Sequence, residues 1–208
     1  MALHGQALAH THKVHARKTP DLLLARLGEN ANLLDDARVQ LTQMVRDGVH
    51  ITTAGDWLLD NYYLIEEQIR LARLHLPKGY SRQLPTLADG PAAGVPRVFH
   101  LATEMIAHGD GRVDAETMSR FVAAYQTVTP LKLGELWAIP IMLRLALVEN
   151  LRRTALRVMR GSVDRRRAIH WAAPINQAAE KPPNRLVRGP ARLVGAPPPL
   201  PGSCRPQL

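Results

Sequence analysis

The stretch from Thr129 to Arg160, TPLKLGELWAIPIMLRLALVENLRRTALRVMR, constrains the fold more than any other part of the chain. Leu133, Leu136, Trp137, Pro140, Ile141, Leu143, Ala146, Leu147, Leu151, Ala155, Leu156 and Met159 recur at three- and four-residue steps. That is the spacing of one face of a helix. Thr129 is placed to cap its start, and Pro130 suits a first turn, where a missing N–H costs nothing. Gly161 is placed to end it. Pro140 lies inside and predicts a kink, because it cannot donate to the carbonyl four residues back. Glu135, Arg144 and Glu149 fall among the apolar positions and read either as chemistry or as salt-bridge partners.

The rest of the chain also reads as helical. Pro20 and Asp21 open a segment marked by Leu22, Leu23, Leu27, Leu34, Leu41, Met44 and Val45. It is one helix, or two short ones broken near Gly28-Glu29-Asn30. Thr52 or Thr53 caps a helix running to about Leu74, with Trp57, Leu58, Leu64, Ile65, Ile69 and Ala72 inward. Asp60 and Asn61 interrupt that apolar set and need hydrogen-bond partners. Residues 75–96 carry too many prolines and glycines for a helix, yet Tyr80, Arg82, Leu84 and Leu87 predict a loop packed along the helices. Arg97 to His108 reads as a short helix with Val98, Leu101, Ala102, Met105 and Ile106 inward. Asp114 caps the next, whose stripe is Phe121, Val122, Tyr125 and Val128. No run alternates like a strand, and there is no repeat of fixed period. The expected fold is all-α: an irregular bundle of five or six helices, one ordered Pro/Gly-rich loop and a disordered C-terminal tail. The expected domains are a disordered, His-rich extension over 1–19, a helical domain over 20–160 and a basic Pro-rich tail over 161–208.

Charge supports this division. The chain carries a net +9, and from Arg160 onward nine Lys/Arg face only Asp164 and Glu180, which accounts for +7 of it. The body is nearly balanced, so a nucleic-acid partner is not expected. One cysteine, Cys204, excludes a disulfide framework and a cysteine metal site. The N-terminus lacks the apolar core of a secretory signal, and Leu136 to Val148 is too short and too charged to cross a bilayer.

Four groups of residues then carry a family resemblance. The first is Asp56-Trp57-Leu58-Leu59-Asp60-Asn61 with Ile65-Glu66-Glu67-Gln68-Ile69-Arg70. The second is Leu76-Pro77, Tyr80, Arg82 and Leu84-Pro85, with Gly94-Val95-Pro96-Arg97-Val98. The third is Ala107-His108-Gly109-Asp110 with Arg112, Val113 and Asp114. The fourth is Ala124-Tyr125-Gln126, Gly134-Glu135-Leu136-Trp137-Ala138-Ile139-Pro140, Leu143-Arg144-Leu145-Ala146-Leu147 and Glu149-Asn150-Leu151-Arg152-Arg153. In this order they resemble the N-terminal region of cyclic β-1,2-glucan synthases, large bacterial inner-membrane proteins that join a UDP-glucose-dependent glycosyltransferase domain to a glycoside-phosphorylase-like domain. The resemblance spans about Leu22 to Met159 and implies a helical accessory or scaffold role. The partners would be the remaining domains or inner-membrane proteins. The family's transfer machinery lies in later domains, so no catalytic residue carries over. No cofactor or metal is expected, and the fragment alone would be cytoplasmic. After Arg160 the apolar period vanishes, and two readings stand: an out-of-frame translation of a GC-rich gene, or a genuine disordered basic tail.

Several side chains offer candidate chemistry, each with a structural alternative. Glu66, Glu67, Glu104, Asp110, Asp114, Glu135 and Glu149 could supply an acid–base pair if two converged about 5–10 Å apart. The structural alternative has them capping helices or pairing with Arg70, Arg97, Arg144 and Arg152. Trp57, Tyr80 and Trp137, with Tyr62, Tyr63 and Tyr125, could stack on a sugar, although core packing is the simpler role. Asp60, Asn61, Arg97, Glu135, Arg144 and Glu149 are expected to be structural polar groups. His108 and the histidines at 10, 12 and 15 could meet a metal, against a plain structural reading. The Arg165-Arg166-Arg167 run could contact phosphate or anionic lipid. Two further roles remain open, an independent glucan-binding or protein-interaction module and a basic nucleic-acid binder.

Overall fold

A computed structural model describes residues 2–15, 20–109 and 111–179. Among these the fold is all-α. Seven helices run in order: α1 (Ala2–Thr11), α2 (Leu22–Arg46), α3 (Thr53–Asp60), α4 (Tyr62–His75), α5 (Arg97–His108), α6 (Ala115–Gln126) and α7 (Leu133–Ala179). Two short strands, β1 (Val14–His15) and β2 (Thr86–Leu87), pair antiparallel with Val14 opposite Leu87. The chain divides into two units, Met1–Ser162 and Val163–Leu208. In the second, residues 163–179 are helical as the last part of α7. Met1, residues 16–19, Asp110 and residues 180–208, with them most of the expected tail, lie outside the described residues.

The core forms two clusters. The larger joins α2, α3, α4, α5 and α7 around Leu34, Leu41, Ala72, Val98, Ala138 and Met142. The smaller sits between α1, α5 and α6, with Ala9, Leu101, Met105, Phe121, Tyr125 and Leu131. α2 is one continuous helix. Gly28 lies within it rather than at a break, and a Cβ there would meet nothing within 4 Å. The helix expected over 53–74 is instead two. Asn61 stands between α3 and α4, and its side-chain amide donates to the Trp57 carbonyl at 2.8 Å, a bond that competes with the helical ladder. Thr52 caps α3 by accepting from the Gly55 N–H at 3.2 Å, and Asp114 caps α6 by accepting from the Thr117 N–H at 2.7 Å.

Three expectations need correction. Residues 2–15 are ordered rather than a disordered extension. α1 packs on α6 through Gly5 and Ala9, and a Cβ on Gly5 would lie 2.9 Å from the Phe121 carbonyl oxygen. The packed face is made of small residues, so it leaves no apolar period to read. Next, α7 begins at Leu133 and not at a Thr129 cap. The Glu135 carboxylate accepts from the Lys132 N–H at 2.9 Å, the N3-to-N-cap half of a capping box. At its other end α7 runs through Gly161 to Ala179.

The last correction concerns the face of α7. Buried along α7 are Glu135, Ala138, Ile141, Met142, Leu145, Ala146, Val148 and Glu149, followed by Ala155 and Ser162, so Ile141, Ala146 and Ala155 of the expected face are buried as read. Leu133 and Trp137, read as its inward start, are 67% and 77% exposed. Two glutamates occupy positions on the inward stripe, so counting apolar residues rotates the helix away from its true orientation.

Candidate functional site

The inward glutamates of α7 are where buried charge concentrates. Glu135 is in the first turn, and Arg97 is the first residue of α5. Both are almost fully buried, at 1% and 4% exposure. Arg97 Nε donates to Glu135 Oε1 at 2.9 Å, Nη2 donates to Oε2 at 2.5 Å, and Nη2 also reaches the Pro130 carbonyl at 3.2 Å. This is the two-pronged geometry that the planar guanidinium favours. Burial disfavours the Arg97 charge. The hydrogen bonds and charge of Glu135 outweigh it, so the guanidinium is held above its ordinary pKa. The pair ties the start of α5 to the start of α7.

Four turns further along α7, Glu149 anchors α2. It is 2% exposed. Arg26 Nε and Nη2 donate to it at 3.0 and 3.1 Å, Asn30 Nδ2 at 2.8 Å, and Arg152 Nη2 at 2.8 Å. Burial pushes the carboxyl pKa up, but the hydrogen bonds from Arg26, Arg152 and Asn30 more than reverse it, holding it at about 2 against an ordinary 4.5. The shallow cleft between α2 and α7 is lined by these same groups with Leu22, Ala25 and Leu33.

The remaining sequence candidates are dispersed. Arg144 Nη1 lies 3.1 Å from His75 Nδ1. Tyr80 and Trp137 meet in a groove of about 500 Å³ with His75, Pro77, Pro140, Ile141 and Arg144. The Tyr80 hydroxyl donates to the Gly134 carbonyl at 3.4 Å. Trp57 lies exposed on α3, outside this groove. Tyr62 and Tyr125 are buried, while Tyr63 is exposed, so the six rings do not form one platform. Asp60 is exposed, and Asn61 serves the α3–α4 break. Among the acidic candidates, Glu67 lies 3.6 Å from Arg70, Asp114 caps α6, and Glu66 lines a groove with Asp35 and Arg73. Arg165 and Arg167 are exposed on α7.

Sequence reading missed two groups. Asp21 carries no apolar signal, yet it fastens the loop to α2. Its carboxylate accepts from the Gly79 N–H at 2.6 Å and from the Ser81 hydroxyl. For Glu104 the sequence offers an acid–base role or a helix cap or arginine partner. In the structure its neighbours are imidazoles: His4 Nε2 at 3.0 Å, and His100 Nε2 and His108 Nδ1 each at 3.7 Å.

Among the described residues no helix is long and apolar enough to cross a membrane. No family model matches the chain. Over 124 residues, 60% of its length, it is 44% identical to the cyclic beta-(1,2)-glucan synthase NdvB of Rhizobium meliloti (strain 1021). The chain spans about 4% of the length of that curated relative. The resemblance read from the four groups of motifs is therefore real, and it ties this helical chain to a small part of a cyclic β-(1,2)-glucan synthase.

Proposed function

We propose that the chain is a helical accessory or scaffold element of a cyclic β-1,2-glucan synthase-like protein and does not transfer glucose by itself. The parent activity would be glucosyl transfer from UDP-glucose to make cyclic β-1,2-glucan, in a protein of the bacterial inner membrane. The observation that carries this reading is the division of labour along α7. Its buried glutamates are consumed in ion pairs to α5 and α2. Its outward face presents Leu133 and, one turn on, Trp137, apolar side chains without a core to enter. A helix locked on one side, with exposed apolar residues at the start of the other, suits a surface that packs against further protein, here the remaining domains of the synthase. Incubating the purified chain with radiolabelled UDP-glucose tests the catalytic half of the proposal. No labelled glucan is expected, and labelled glucan would overturn it.

A second reading has its own observation. The Tyr80–Trp137 groove offers two aromatic rings beside a guanidinium and an imidazole, a composition suited to a sugar. In this version the chain is an independent glucan-binding module. Titrating it with β-1,2-glucan while following tryptophan fluorescence decides the matter. A saturable change that Trp137→Ala abolishes supports it, and a flat titration removes it.

A further inference from the structure

α5 carries His100, Glu104 and His108 at four-residue steps, which places all three on one side of the helix. α1 lays His4 over them. His4 and His108 stack with ring centroids 3.7 Å apart, and His4 Nε2 is 3.0 Å from Glu104 Oε2. One ligand atom from each of His4, Glu104 and His108 lies within 4.8 Å of the other two. Ligands about 2.1 Å from a tetrahedral ion sit about 3.4 Å from one another. The observed 3.0 Å from His4 to Glu104 and 3.7 Å from His108 to Glu104 straddle that spacing.

Charge points the same way. Among the described residues, the ion-pair partners of Glu104 are three imidazoles and no lysine or arginine. Arg26 and Arg153 line a cleft with His100 and Glu104, but both are paired with Glu149. Behind the carboxylate runs an orienting chain. His100 Nε2 is 3.7 Å from Glu104 Oε1, His100 Nδ1 is 3.0 Å from His12 Nε2, and His12 Nδ1 is 3.0 Å from the Tyr125 hydroxyl. An imidazole fixed by its own hydrogen bonds beside a carboxylate is the kind of neighbour that helps orient a metal ligand.

We propose that His4, Glu104 and His108 form a binding site for one divalent transition-metal ion of the zinc class, with the fourth position left to water. Two imidazoles and a carboxylate are the donor set such an ion takes when it keeps an open position. His108 Nδ1 lies 3.1 Å from the Glu104 backbone carbonyl and would exchange that contact for the ion, its ring turning out of the stack on His4 so that both in-plane lone pairs meet the metal. Because the ligands come from α1 and α5, metal would fasten the N-terminal helix to the bundle.

The untagged chain is titrated with Co²⁺, read by its visible d–d absorption, and with Zn²⁺, read by calorimetry and thermal melting. Saturation at one ion per chain and a rise in Tm with Zn²⁺ are expected. His4→Gln, Glu104→Gln and His108→Gln should each raise the Kd at least about tenfold. His10→Gln with His15→Gln, which alters the two N-terminal histidines outside the cluster and outside the His12–His100 contact, should leave it unchanged. Circular dichroism of each metal-free variant separates lost ligation from lost folding. Non-saturable binding overturns the proposal. So does a loss of binding in the His10/His15 variant equal to that in the ligand variants, or unaltered binding in folded Glu104→Gln.

Discussion

Replacing Glu149 by glutamine removes a charge from the join between α2 and α7 while keeping its shape. The carboxyl pKa is held at about 2 against an ordinary 4.5. At 1.36 kcal/mol per pH unit, that difference corresponds to about 3 kcal/mol of stability from the ionised form. The sign follows from the direction of the shift. A depressed carboxyl contributes fully above pH 4.5, and its contribution is lost as pH falls from there toward 2. Glu149→Gln should therefore lower stability at pH 7 by about 2–3 kcal/mol, somewhat less than the full figure because Arg26, 41% exposed, can turn to water once released. The gap should then close with acid, since the wild-type protein loses this contribution and the glutamine variant has none to lose. Urea unfolding followed by circular dichroism at pH 7, 5, 4 and 3 gives both curves. A gap that stays constant across that range would refute the reasoning, because it would mean the cost of the substitution is packing rather than charge.

Arg97→Ala should cost about 3–5 kcal/mol by stranding the buried Glu135 charge. Arg97→Met with Glu135→Leu should recover much of that in the same unfolding assay. Gly28→Ala, inside α2 with open space around it, should stabilise by about 0.5–1 kcal/mol, whereas Gly5→Ala should loosen α1 because of the Phe121 carbonyl, lowering Tm. Met142→Ala, on the buried stripe of α7, should cost about 2–5 kcal/mol, while Trp137→Ala should change the stability of the isolated chain by less than about 0.5 kcal/mol.

Much of this architecture is legible in residue order, because apolar period marks helices reliably where the buried face is apolar. α5 is such a case. Val98, Leu101, Ala102, Met105 and Ile106 all read as inward and all are buried. The caps at Thr52 and Asp114 are legible for a similar reason, since the bond is local. Failures occur where packing uses other chemistry. α1 packs with Gly5 and Ala9, which leave no hydrophobic signal. α7 turns two glutamates inward, and their partners Arg97, Arg26 and Asn30 lie 38, 123 and 119 residues away in sequence. Spacing within one helix cannot show such pairs. That Tyr80 and Trp137, both read as stacking candidates, share one groove, and that His4 joins Glu104 and His108, needed two distant segments placed side by side, which residue order does not show.

The most direct test of the scaffold reading is a chimera. The matching segment of the Rhizobium meliloti cyclic β-(1,2)-glucan synthase is replaced by this chain's residues 2–162, which keep α1 packed on α6, and glucan synthesis from UDP-glucose is measured in membranes. The account predicts that the chimera makes cyclic glucan. It also predicts that adding Trp137→Asp, on the outward face of α7, abolishes synthesis while leaving the melting of the isolated chain unchanged. An inactive parent chimera, or a Trp137→Asp chimera as active as its parent, would contradict it.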